Sequence, residues 1–144
     1  MKTKFGHQGY VFSRPILGDR VPQHVQNLVI REYCNKHNFK YLLSGTEYIM
    51  PECYIILEEL VQNASKLSGI VLYSIFMLPK SFAKRHDIYD QVLSGGASLH
   101  SAVEELVITK KSDISQIEDL WYVKLATTNS EPSKLKDIFR EMLK

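Results

Sequence analysis

The chain carries few of the features that mark specialised protein classes. It has only two cysteines, Cys34 and Cys53, with no C-x-x-C and no paired spacing, which argues against a disulfide framework or a cysteine metal site. Each falls on the apolar side of a predicted helix and reads as a buried free thiol. Seven glycines and five prolines in 144 residues leave no room for a linker-like or low-complexity tract. No apolar run is long enough to span a membrane. The opening "MKTKFGHQGYVF" has lysines but no apolar core of the signal-peptide kind, so the expected location is the cytoplasm. The formal net charge is only +2, well short of the clustered basic excess that a nucleic-acid partner usually leaves. The five histidines show neither H-x-H nor H-x-x-x-H spacing. No metal site is supported, and no motif asks for an organic cofactor.

What is present is ordinary globular material: 44% hydrophobic and 24% charged residues, enough for one domain over residues 1–144 with its own core. Residues 8–13 read as a first strand, 23–37 as a helix and 39–45 as a second strand. Pro51 suits a helix first turn, with Glu52 near the positive dipole end. Cys53, Ile56, Leu57, Leu60 and Val61 then form an amphipathic stripe that stops near Asn63. The almost wholly apolar "GIVLYSIF" (69–76) reads as a central strand buried on both faces. Ser81 can cap a third helix, with Ile88, Tyr89, Val92 and Leu93 inward and Gly95-Gly96 ending it. Residues 97–103 make a fourth strand, 106–110 a fifth, and 113–124 a helix. Pro132 opens a last helix striped by Leu135, Ile138, Phe139, Met142 and Leu143.

Strand and helix alternate throughout. That order implies right-handed βαβ units and an α/β fold: a mostly parallel sheet of four or five strands, flanked by helices in three layers, flavodoxin-like or resolvase-like. Ligands of such sheets bind beyond the carboxyl ends of the strands. "GYVFSRPILGDRVPQHVQN" (9–27) lies at such an end, and so does "SIFMLPK" after the third strand.

The run "VQNLVIREYCNKHNFKYL", followed by "ECYIILEELVQN", "GIVLYSIF" and "LHSAVEEL", resembles the serine recombinases of the resolvase and invertase family over about residues 9–106. The resemblance implies a resolvase-like α/β domain but not its chemistry. Where that family has Tyr-x-Arg-x-Ser at the first strand end, this chain has Tyr10-Val11-Phe12-Ser13-Arg14. Phe12 takes the arginine slot and the serine is displaced by one. The family's Asp-Arg-Leu-x-Arg after the third strand is matched here by Phe76-Met77-Leu78-Pro79-Lys80. One lysine does not replace two bidentate guanidiniums, and no segment reads as a DNA-binding module. DNA strand exchange is not expected, nor a nucleic-acid partner.

The combination "GYVFSRP…RVPQHVQN…IREYC…TEY…PECY" resembles the small sporadic carbohydrate cluster proteins of bacterial surface-polysaccharide loci. This second resemblance spans nearly the whole chain. It implies work on a cell-surface sugar and names a pathway, not a reaction.

Candidate site residues follow from position. Arg14 and Arg20, on a loop feeding a helix N-terminus, would hold the phosphate or carboxylate of a small anionic sugar derivative. Ser13 is either a nucleophile or a hydrogen-bonding turn residue, and no adjacent general base is identifiable. Glu47 could act as general base or bind sugar hydroxyls, and Tyr48 could stack on a sugar ring. His24 is the acid–base candidate, histidine being the side-chain type suited to proton transfer near neutral pH; Gln23 and Gln26 could reach the same ligand. Tyr73 and Ser74 end the central strand, where Ser74 either bonds backbone or faces a ligand. His100 reads as a satisfied core histidine. The expected function is binding or conversion of an anionic sugar intermediate in surface-carbohydrate biosynthesis, by isomerisation, epimerisation or group transfer if the protein is an enzyme. The alternative is a non-catalytic, oligomeric or regulatory protein on a degenerate recombinase fold, the stripes on 53–61 and 135–143 serving as core or subunit contacts.

Overall fold

In the computed structural model, residues 4–128 are described together with 140, 142 and 143. The elements are β1 (His7–Val11), α1 (Gln23–Lys36), β2 (Tyr41–Thr46), α2 (Ile55–Gln62), β3 (Gly69–Leu72), α3 (Phe82–Ser94), β4 (Ser98–Ser101), β5 (Leu106–Ile108) and α4 (Ile114–Thr128). The five strands form one sheet in the order β2-β1-β3-β4-β5. All neighbours pair in parallel except β4 and β5, which form an antiparallel hairpin.

The strand order fixes where the helices lie. From β1 the chain moves outward to β2, then crosses back over β1 to reach β3. Right-handed crossovers in opposite directions put the connecting helices on opposite faces. Ile30, Tyr33 and Cys34 of α1 accordingly pack with Val11 and Val71 on one face. Leu57, Leu60 and Val61 of α2, Ile88, Tyr89 and Val92 of α3 and Trp121 of α4 pack with Tyr10, Ile70 and Leu72 on the other. Alternation along the strands supplies both faces at once, which is why the buried β3 reads as a continuous apolar run. The result is the three-layer α/β architecture expected from the alternation of elements.

Two expected boundaries move. The central strand ends at Leu72, and Ile75–Met77 is a single 3₁₀ turn. Ser74 closes that turn, its hydroxyl accepting from the Phe76 amide at 3.2 Å and donating to Glu104 at 3.0 Å. Pro51 and Glu52 lie in a turn rather than in a helix, with Glu52 in the left-handed region at φ 56°. The second helix begins only at Ile55. The last helix expected from Pro132 lies largely outside the described residues.

The apolar cap of the α2, α3 and α4 face is pinned by one ion pair. Arg85 is fully buried; its Nε and Nη2 donate to the two carboxylate oxygens of Glu118 at 2.9 and 2.7 Å. Its Nη1 donates to the carbonyls of Pro79 and Lys80, and its guanidinium lies 4.5 Å from the Trp121 ring centre. Tyr89 donates to the same carboxylate at 2.7 Å. Burial pushes the Glu118 carboxyl up, but the bonds from Arg85 and Tyr89 outweigh it and hold the group below its usual value. One side chain thus fastens α3 to α4 and to the loop that follows β3. Among the described residues no helix is long and apolar enough to cross a membrane.

Candidate functional site

The crossover from β1 to β2 and the return to β3 make the loops after β1 and β3 diverge, which opens a crevice at the carboxyl ends of those strands. A cleft of about 1170 Å³ occupies that place. Its walls come from four segments: Phe12 to Arg20 after β1, Ile49 to Tyr54 after β2, Phe76 to Lys84 around the β3–α3 loop, and Leu125 of α4. Pro79 and Lys80, whose carbonyls Arg85 grips from below, are part of the wall.

After β1 the chain makes a tight reversal. Ile16 and Asp19 exchange backbone hydrogen bonds at 2.7 and 3.1 Å, and the two residues between them, Leu17 and Gly18, have φ of 50° and 90°. Two consecutive positive φ values match the twist of a two-residue hairpin turn. Gly18 takes that conformation freely, whereas Leu17 takes it with its Cβ crowded against the backbone. The turn sets Ser13, Arg14 and Arg20 on the cleft wall.

Arg14 is the best-defined member. Its guanidinium lies 4.6 Å from the Phe12 ring centre and 4.9 Å from that of Tyr54, a cation held between two π faces. Nη1 donates to the Met50 carbonyl at 2.8 Å, while Nη2 is buried without a hydrogen-bond partner. Burial raises the Tyr54 phenol above its usual value, with Arg14 pulling it down, so Tyr54 stays protonated at neutral pH. Around Arg14 the described lining carries Arg20, Lys80 and Lys84 against a single carboxylate, Glu52. That excess of positive charge, in a concave surface, attracts anions.

The expected site residues divide sharply. Ser13, Arg14 and Arg20 meet in the cleft; the others do not line it. Gln26 is fully buried and acts as a splint, accepting from the Phe12 amide and donating to the carbonyls of Phe12 and Val21. Glu47 is also buried. It receives the Tyr10 hydroxyl at 2.8 Å and the amides of Tyr48, Ile56 and Leu57 at 3.1 to 3.2 Å. This carboxylate caps the N-terminus of α2, and with its lone pairs so occupied it does not face a ligand. Ser74 is engaged with Glu104 and the 3₁₀ turn, and Tyr73 packs between the two core layers. Tyr48 is exposed; Gln23 and His24 lie on the first turn of α1, half-buried and exposed. Among the described residues the cleft lining includes no histidine.

Two further expectations concern the core. His100 is buried between Tyr33 and Ser98, whose hydroxyls lie 2.8 and 2.6 Å from its ring nitrogens. It is a satisfied core histidine, as its sequence setting indicates. Cys34 is buried and Cys53 half-buried, with Cys53 Sγ 3.7 Å from Glu47. Among the described residues no group of histidine, cysteine and carboxylate side chains gathers where it could hold a metal.

Lys80, Lys84 and the aromatic pair around Arg14 are the cleft residues that the sequence reading passed over. The strand-end rule that singled out Arg14 applies equally to Lys80 after β3.

Two solved structures share this architecture. A resolvase family site-specific recombinase from Streptococcus pneumoniae superposes with a TM-score of 0.64 at 10% identity, covering 85% of this chain and 88% of that one. The N-terminal catalytic domain of TP901-1 integrase gives 0.56 at 12% identity, covering 81% of this chain and 93% of its own. The chain has a resolvase-like fold. At these identities the likeness extends to the fold alone. No family model and no curated protein matches the chain, so the comparisons lend no support to the surface-carbohydrate resemblance. In this resolvase-like domain, Phe12 and the Phe76–Lys80 run supply mostly apolar cleft wall.

Proposed function

We propose that this resolvase-like domain binds a small anionic sugar derivative in the cleft at the ends of β1 and β3. The observation that carries the reading is Arg14: a guanidinium fixed between Phe12 and Tyr54, with one buried nitrogen unpartnered and, among the described residues, no carboxylate paired with it. A buried donor left unpaired costs about 1–3 kcal/mol, a cost that a bound phosphate or carboxylate oxygen removes. Arg20 adds charge from the loop after β1, Lys80 and Lys84 add it from the β3–α3 segment, and Ser13 offers a hydroxyl to the same ligand. The biological setting we propose, bacterial surface-carbohydrate biosynthesis, comes from the sequence resemblance. The commitment of Glu47 to α2 and the position of His24 outside the lining leave the reading as one of binding, with no proton transfer assigned to either.

Isothermal titration with glucose 1-phosphate tests this. Arg14→Ala should weaken binding by about tenfold or more, equivalent to about 1.4 kcal/mol, with the circular dichroism spectrum unchanged. Equal affinity in the variant removes Arg14 from the site and ends the anion-site reading. A short DNA duplex, titrated in parallel at two salt concentrations, should bind only weakly; tight, steeply salt-dependent binding would replace the sugar ligand with a nucleic-acid backbone.

A second reading has one observation in its favour. Tyr48, Ile49, Met50 and Ile55 are all exposed within one short segment beside the cleft, an apolar surface suited to subunit contact. Sedimentation of the protein, with and without Ile49→Ser, separates an oligomeric interaction protein from a monomeric ligand binder.

A further inference from the structure

The anion-site reading leaves most of the cleft unexplained. A volume of about 1170 Å³ exceeds the roughly 300–1000 Å³ of ordinary small-molecule pockets, and is far more than a phosphate with a hexose needs. We infer that the ligand is a nucleoside diphosphate or a compound that carries one. This inference rests on the anion-site reading and extends it, since a nucleotide is itself an anionic sugar derivative.

Three features of the lining point this way. The first is charge. Four cations, Arg14, Arg20, Lys80 and Lys84, face one carboxylate, Glu52. A carboxylate ligand would leave most of that excess unmet, whereas a diphosphate offers several charged oxygens to separate partners. The second is the shortage of neutral hydrogen-bonding groups. Among the described residues, Ser13, Ser81 and Tyr54 are the only neutral polar side chains of the lining, with no asparagine, glutamine, threonine or histidine. A hexose presents hydroxyls around its whole rim, and each one buried without a partner is costly. The third is the character of the remaining wall. Leu17, Ile49 and Phe76 give an apolar surface beside the cations, backed by the buried Met77, Leu78 and Leu125. A nucleobase has apolar faces and confines its polar atoms to one edge, so it can lie on such a wall and keep that edge toward solvent. Base stacking on an aromatic side chain such as Phe76 is worth about 1–3 kcal/mol where it has been measured. A rigid cationic corner beside a broad apolar wall therefore fits a diphosphate joined to a flat ring.

Isothermal titration of the full chain with UDP, ADP, uridine, pyrophosphate and glucose 1-phosphate tests the inference. The tighter of the two nucleotides should bind about tenfold better than each of the other three. Ile49, 74% exposed as a residue, can be changed to serine without disturbing the core; Ile49→Ser should reduce the preference for nucleotide over pyrophosphate about threefold. If glucose 1-phosphate or pyrophosphate binds as tightly as the nucleotides, the nucleotide inference fails and the anion site stands. Uridine matching UDP would show that the phosphates contribute nothing, which overturns both. Absence of binding by all five compounds also overturns both.

Discussion

The Tyr10 hydroxyl donates a 2.8 Å hydrogen bond to Glu47 Oε1, joining β1 to the first turn of α2. Tyr10 is fully buried and Glu47 nearly so. Burial raises the Tyr10 phenol, and the hydrogen bond to Glu47 raises it further, so the phenol remains a donor at any physiological pH. The carboxylate in turn takes the amides of Ile56 and Leu57, two of the orphan donors at the start of α2. A carboxylate at that end also complements the helix dipole.

Glu47 is therefore a stability residue. Glu47→Ala leaves a phenol and several amides buried without their acceptor and should lower the unfolding free energy by about 3 kcal/mol. Tyr10→Phe removes a single bond and should cost about 1 kcal/mol. Urea unfolding followed by far-ultraviolet circular dichroism measures both. A general base would behave otherwise: its loss would abolish turnover and leave the unfolding midpoint in place.

The same residues show what the sequence could and could not disclose. Strand–helix alternation is written in local spacing, so layer order and the parallel sheet were legible. The start of α2 was not. Its cap comes from Glu47, back at the end of β2, and Pro51 with Glu52 only imitates a local helix start. The end of β3 was hidden too, because an unbroken apolar run does not distinguish a buried strand from a buried 3₁₀ turn, and the turn is made by Ser74 with the distant Glu104. In the cleft, Arg14 and Arg20 were legible from their place at a strand end. Gln26 and Glu47 were misplaced because a polar residue near such an end looks the same whether it faces ligand or splints backbone. The Arg85–Glu118 pair spans α3 and α4, and no local pattern marks an arginine on a helix as buried.

That pair gives a second prediction. Arg85→Met leaves Glu118 without its counter-ion and frees the Pro79 and Lys80 carbonyls. Removing one partner of a buried pair costs about 3–5 kcal/mol, whereas replacing both by apolar residues is often neutral. Arg85→Met combined with Glu118→Leu should accordingly recover most of the loss. Trp121, the single tryptophan of the chain, is fully buried against Arg85, so its fluorescence reports the event directly. In Arg85→Met the emission should shift to the red at denaturant concentrations where the wild type is unchanged. An unshifted spectrum and an unchanged midpoint would show that α4 is held by apolar contact alone.

The third prediction concerns pH. Burial, with smaller contributions from His7 and His37, lowers the His100 pKa from 6.5 to about 3. His7, stacked on Phe39 at 3.8 Å between ring centres, is lowered by burial as well. Between pH 6.5 and about 3 the unfolded chain binds a proton at His100 that the folded chain does not. The unfolded state is therefore favoured as the pH falls through this window, and the stabilisation is complete above 6.5. The slope for one such histidine approaches about 1.4 kcal/mol per pH unit. Glu118, held low by Arg85 and Tyr89, gives up its contribution only beneath the ordinary carboxylate range, near about pH 4.3 and lower. The interval from pH 6.5 to 5 thus isolates the histidines. Thermal melts across that interval should show falling stability, and His100→Gln should make the slope shallower by retaining an amide that can bond to Tyr33 and Ser98 without titrating. An identical slope in wild type and variant would place the pH dependence elsewhere in the fold.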